Sequence, residues 1–138
     1  MPKIIVVQGV SDTGKSTAIR LAMNHLGLFI RSGGKEDRRD VLVVATARAS
    51  LIGFASGGDS ATVIKKSIDF FSEFSPLPPY MVFACHKRGL TIPPLEKFAD
   101  GLGEDIILIP ADRVPLSNVL SANRVLRDRI LAHLPRLS

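Results

Sequence analysis

The run Lys3-Ile-Ile-Val-Val-Gln8 is followed at once by Gly9-Val-Ser-Asp-Thr-Gly14, and then by a helical pattern from Ser16 to Leu26. This succession constrains the chain more than any other feature in it. A short, continuous, β-branched run reads as a strand covered on both faces, because a half-solvated strand would alternate. The apolar positions Ala18, Ile19, Ala22, Met23 and Leu26 return at helical spacing, and Gly27 is placed to end that helix in the left-handed conformation. A strand that must be dry on both faces and feeds directly into a helix implies a layered α/β structure.

The remainder of the chain alternates in the same way. Asp40-Val-Leu-Val-Val-Ala-Thr46 and Ser50-Leu-Ile-Gly-Phe-Ala55 both read as strands, and with only Ala47 to Ala49 between them an antiparallel hairpin is the simplest connection. Gly57-Gly58-Asp59-Ser60 ends the second run and opens a helix through about Phe74, whose inner face carries Ile64, Ser67, Ile68 and Phe71. Past the prolines at 76 to 79, Tyr80-Met-Val-Phe-Ala-Cys85 predicts another buried strand, Pro93 to Leu102 a short helix, Asp105 to Ile109 a last strand, and Asn118 to Leu134 a final amphipathic helix. The stretch Arg31 to Asp40 is the most polar and reads as a mobile, flap-like segment. The expected fold is a single domain over residues 1–138, three-layered α/β, with a mostly parallel sheet and one antiparallel hairpin strand.

Gly9 to Thr17 matches the pattern G-x-x-x-x-G-K-[ST] in full, in the strand-to-helix context that gives the pattern its chemistry. Gly9 and Gly14 permit a backbone path and a close approach that a Cβ would obstruct. The intervening N–H groups of Val10, Ser11, Asp12 and Thr13 form a concave anion nest, reinforced by the positive end of the helix dipole. Lys15, expected at an exposed helix start, adds a full positive charge for the β- and γ-phosphates, and Ser16 offers a hydroxyl to a Mg²⁺ ion that arrives with the nucleotide. On these residues the chain resembles the P-loop NTPase superfamily. Its loop is most similar to those of small-molecule kinases, often Gly-x-Ser-Gly-Ser-Gly-Lys-Ser, from which Asp12 departs where many carry glycine. The resemblance implies a nucleoside triphosphate held by Gly9, Val10, Ser11, Asp12, Thr13, Gly14, Lys15, Ser16 and Thr17, with ATP and Mg²⁺ as cofactors.

In parallel α/β sheets ligands sit beyond the carboxyl ends of the strands, so residues there take priority. Asp59 is the candidate for the acidic residue that the superfamily uses near Mg²⁺; equally, Asp59 or Ser60 caps the helix that follows. Cys85, His86, Lys87 and Arg88 end the next strand. Arg88 is the candidate catalytic cation, placed to neutralise phosphate charge or grip an acidic substrate, against the simpler reading of an exposed loop residue. Cys85 is most simply a small buried hydrophobe. Asp112 and Arg113 follow the last strand at the same level. With no Asn/Thr-Lys-x-Asp signature, ATP is favoured over GTP, and the scattered Cys and His residues do not make a zinc site.

Composition narrows the class. Of 138 residues, 46% are hydrophobic, which suits a globular chain with a true core, and no apolar run approaches the roughly 20 residues a membrane span requires. Cys85 is the only cysteine and Met1-Pro2-Lys3 opens no signal peptide, so a reducing, cytoplasmic setting is expected. The net charge of +5 favours anionic ligands, but the basic residues are dispersed and no cationic tail marks nucleic acid. The leading expectation is therefore an ATP-dependent phosphotransferase or ATPase, with Arg31 to Asp40 closing on an anionic small-molecule acceptor. The rivals are a nucleotide-dependent interaction module acting on a protein partner, and a nucleic-acid-linked ATPase supported by charge alone.

Overall fold

The computed structural model of the chain describes residues 2–9, 15–26, 29–33, 41–47, 50–57, 61–86, 92–111 and 116–134. Ile4, Ile5, Val6 and Val7 of β1 (Lys3–Gln8) have no exposed surface at all. A strand buried on both faces needs hydrogen-bonded neighbours on both edges and apolar cover above and below. Both are present. β1 pairs in parallel with β5 (Tyr80–Cys85) on one side and with β6 (Ile106–Pro110) on the other. Outward from β5 come β4 (Ser50–Ala55), β3 (Leu42–Ala47) and β2 (Phe29–Gly33), completing a six-stranded mixed sheet of order β2-β3-β4-β5-β1-β6.

β3 is the single reversed strand, antiparallel to β4 and to β2, so the expected hairpin over residues 42–55 is present within a sheet that otherwise runs one way. The hairpin is pinned at its open end by Ser56. Its N–H donates to the Val41 carbonyl at 2.9 Å, and its buried hydroxyl accepts the Val41 N–H at 2.7 Å.

Alternation along the strands sorts the core into two clusters. Ile5, Val7, Phe54, Val82 and Ala84 point to the face covered by α1 (Lys15–Leu26) and α4 (Val119–Leu131). Ile4, Val6, Met81, Phe83 and Cys85 point to the face covered by α2 (Ala61–Ser72) and α3 (Ile92–Gly101). The expected inner face of α2 is confirmed at Ile64, Ser67 and Phe71, all buried. On that side Phe71, Phe83 and Phe98 join helix, sheet and helix through edge-to-face ring contacts, with centroids 5.4 and 6.5 Å apart. A 3₁₀ turn over Leu116–Asn118 leads into α4. No helix among the described residues is long and apolar enough to cross a membrane.

One sequence expectation needs correction. Arg31, Ser32 and Gly33 belong to strand β2, not to a flap; only residues 34–40 of that segment lie outside the described residues. The pairing has a register shift between Ile30 and Ser32 that leaves Arg31 out of step. The physical reason is the open edge of β3, whose unpaired backbone groups gain partners from whatever short extended segment is adjacent.

Gly53 of β4 explains its own identity. A Cβ there would lie 2.7 Å from Cε1 of Phe71, and that ring is fully buried against Phe83. The ring has nowhere to retreat, so Gly53→Ala is expected to lower unfolding free energy by about 1–3 kcal/mol, as overpacked cores do. Urea titration of the two proteins checks this. A loss below about 0.5 kcal/mol would mean that the Phe71 layer yields more readily than its packing implies.

Candidate functional site

Every parallel strand delivers its chain to one edge of the sheet. Gln8 at the end of β1 stands level with Cys85 of β5 and Pro110 of β6. The order continues past the strands: the Gly9 N–H donates to the Cys85 carbonyl at 3.1 Å, and the Ala111 N–H to the Gln8 carbonyl at 2.7 Å. This is the edge where ligands of parallel sheets sit. β1 runs to this edge, and α1 begins at Lys15.

Lys15 occupies the centre of this edge. Its ammonium donates to the Gly9 carbonyl at 2.5 Å and to the Cys85 carbonyl at 3.1 Å. Only 9% of the residue is exposed, which corrects the expectation of an exposed helix start. A buried cation is costly unless acceptors surround it. The carbonyls at the ends of β1 and β5 supply them, and the Cys85 oxygen accepts from both the Gly9 amide and Lys15. The ammonium thus ties two adjacent strand ends together.

Among the described residues, two positive contributions meet here. The N-terminus of α1 adds the partial charge of its dipole to the charge of Lys15, and no acidic residue stands in the first turn of the helix. Thr17 in that turn is exposed. Such an arrangement stabilises an anion placed beyond the end of β1. Cys85 lies beside it with no exposed surface, as the small buried hydrophobe expected. Burial pushes its thiol from 9.0 up to about 11, against the lowering pull of the Lys15 ammonium. It is therefore a neutral neighbour at physiological pH and no nucleophile.

Of the other candidates, Val10, Ser11, Asp12, Thr13, Gly14, Asp59, Arg88, Lys87, Asp112 and Arg113 lie outside the described residues, and Ser16 is described only as part of the α1 backbone. What the fold does place is the strand that leads to each. β5, which precedes Arg88, adjoins β1, and half-buried His86 continues it. β4, which precedes Asp59, is the next strand out, about 10 Å from β1 at the usual spacing. Buried Ser56 and Gly57 carry the chain from β4 toward Asp59. β2 stands at the far end of the sheet, about 19 Å from β1, so Arg31 is remote from Lys15. Among the described residues no group of three or more His, Cys, Asp or Glu is arranged to hold a metal ion. Sequence reasoning missed the Gly9 and Cys85 carbonyls as acceptors of Lys15, since a backbone oxygen carries no residue signature.

The raised thiol pKa makes a pH prediction. Between pH 9 and 11 the unfolded chain has lost the Cys85 proton that the folded chain retains, so stability falls as pH rises through this window. The whole loss is about 3 kcal/mol, since each tenfold difference in proton affinity between the two states is worth roughly 1.4 kcal/mol. Cys85→Ala lacks this component. The stability gap between wild type and variant should therefore shrink by about 2 kcal/mol from pH 8 to pH 10.5, read from urea midpoints. A gap independent of pH would remove Cys85 from the account of alkaline sensitivity.

Comparison with known proteins adds no relationship to this geometry: no family model, no curated protein and no solved structure matches the chain.

Proposed function

We propose that this chain binds ATP with Mg²⁺ through the segment Gly9 to Thr17, on the P-loop plan its sequence resembles, and acts as a small phosphotransferase or ATPase. The observation that carries the reading is Lys15, a buried ammonium poised at the carboxyl ends of two parallel strands, within a complete G-x-x-x-x-G-K-S pattern. Burial of a lysine for structure alone has a simpler solution in an apolar residue. A lysine held by carbonyls at a helix N-terminus instead has an evident use: a phosphate oxygen can take the place of one carbonyl without reorganising the fold.

The residues fit a polyphosphate in charge, with a buried cation, an acid-free first turn of α1, and a net +5 over the chain. In this reading the amides of residues 10 to 14 hold the phosphates, and Lys15 lies across the β- and γ-groups. Ser16 and Asp59 are the residues proposed to hold Mg²⁺, which when bound supplies charge neutralisation across the phosphate oxygens. Arg88, delivered by the strand next to β1, is proposed to add a cation at the γ-phosphoryl group in the transition state. An anionic acceptor would be met by residues 34–40, which join β2 to β3 at the same edge of the sheet.

Two measurements test the proposal. Lys15→Ala removes a charge-assisted phosphate contact of about 1.5–3 kcal/mol, so the affinity for MgATP by calorimetry should fall roughly 10- to 150-fold in protein shown by circular dichroism to be folded. Affinity unchanged within twofold would sink the nucleotide reading. Arg88→Ala should lower ATP turnover at least about tenfold while leaving the ATP Kd nearly constant, the mark of a contact made in the transition state. Turnover equal to wild type would remove the catalytic reading and leave ATP binding alone.

A further inference from the structure

The two helical layers are not equivalent. α1 and α4 pack side by side over their face of the sheet. α2 and α3 instead leave a groove of about 440 Å³ between them. Its floor is apolar, formed by Ile68, Phe98 and Leu102, each only partly covered by the core beneath. Lys65 rises from the second turn of α2 on one wall and Lys97 from the second turn of α3 on the other, both exposed. Asp69 stands one turn beyond Lys65. Among the described residues, neither ammonium has a carboxylate partner.

From this we infer that the α2/α3 groove is a docking site for an amphipathic helix of a partner protein, one whose apolar stripe is flanked by acidic residues. Two roughly parallel helices with an apolar channel between them offer the ridges into which a third helix packs, at axial distances of about 8–10 Å. The channel takes two or three large side chains of such a stripe. The flanking charge selects the partner: with one lysine on each wall, acidic residues on both flanks of the incoming helix find a cation, while a basic helix meets a lysine on both sides and finds, among the lining residues, Asp69 as the single carboxylate. The fold also gives the groove a connection to the strand-end edge. α2 and α3 follow residues 58–60 and 87–91, the segments that carry Asp59 and Arg88. The docking itself does not rest on nucleotide binding, and its test needs no nucleotide.

The test uses fluorescence anisotropy with two labelled synthetic helices, each about five turns long, with leucines at i, i+4 and i+7 spacing. One carries glutamates beside the stripe; the other carries lysines at the same positions. The wild-type chain should bind the glutamate helix saturably and at least tenfold more tightly than the lysine helix. In the double variant Lys65→Glu/Lys97→Glu, which changes only exposed positions, the preference should reverse. Equal affinity for the two helices, or an undiminished affinity of the double variant for the glutamate helix, overturns the inference. Two further results overturn it as well: binding to phosphatidylglycerol vesicles with none to either helix, which would make the groove a lipid surface, and a dimer in sedimentation that the double variant abolishes, which would make the occupant a second copy.

Discussion

Everything in this fold follows from the need to keep β1 dry on both faces. Four consecutive residues, Ile4 to Val7, have no contact with solvent, so helices must cover the sheet above and below. Adjacent side chains on β1 point in opposite directions, and the two core clusters are populated alternately from it. A strand in this position has its amide and carbonyl groups matched by β5 and β6 along its length, until the ladder ends at Gln8. There the backbone must find new partners or meet a ligand. The most constrained strand of the molecule therefore ends at the edge where Lys15 is held.

Lys15 turns that edge into a charged site. Its ammonium satisfies carbonyls that the ladder leaves behind, and the carbonyls in turn make its burial tolerable. The same contact raises the question of what a bound phosphate does. Because the ammonium is already solvated by protein, a phosphate bound as proposed would exchange one set of acceptors for another, and it would meet a cation whose position is set in advance. The neighbouring thiol of Cys85 stays neutral at physiological pH.

Much of this architecture was legible in the amino-acid order, and the exceptions have physical causes. β1, the 42–55 hairpin, α2 and β5 were readable because each writes its burial in local periodicity or in an unbroken apolar run. β2 was not, because Phe29–Gly33 is a strand by virtue of the open edge of β3 and not by its own residues, which include serine and glycine. The glycine-bounded motif announced Lys15, but not its burial, which depends on a carbonyl 70 residues away in sequence. Contacts at such separation are made by topology, and topology is the part of a structure that local patterns encode least. For Asp59 and Arg88 only the preceding strands are placed, and both reach the expected edge.

The outer strand β6 has a further consequence. Its Ala111-side amides turn toward β1, since the Ala111 N–H reaches the Gln8 carbonyl, and by alternation the backbone of Ile106, Leu108 and Pro110 faces away from the sheet. Proline therefore falls at a place where its missing N–H breaks no ladder bond. On the outer side it deprives a visiting strand of a donor, and Asp105 sets a charge at the other end of the run. Between these two residues lies Leu108, 48% exposed, an apolar invitation to edge-to-edge pairing. The strand is short and guarded at both ends, features that disfavour edge-to-edge pairing with another chain.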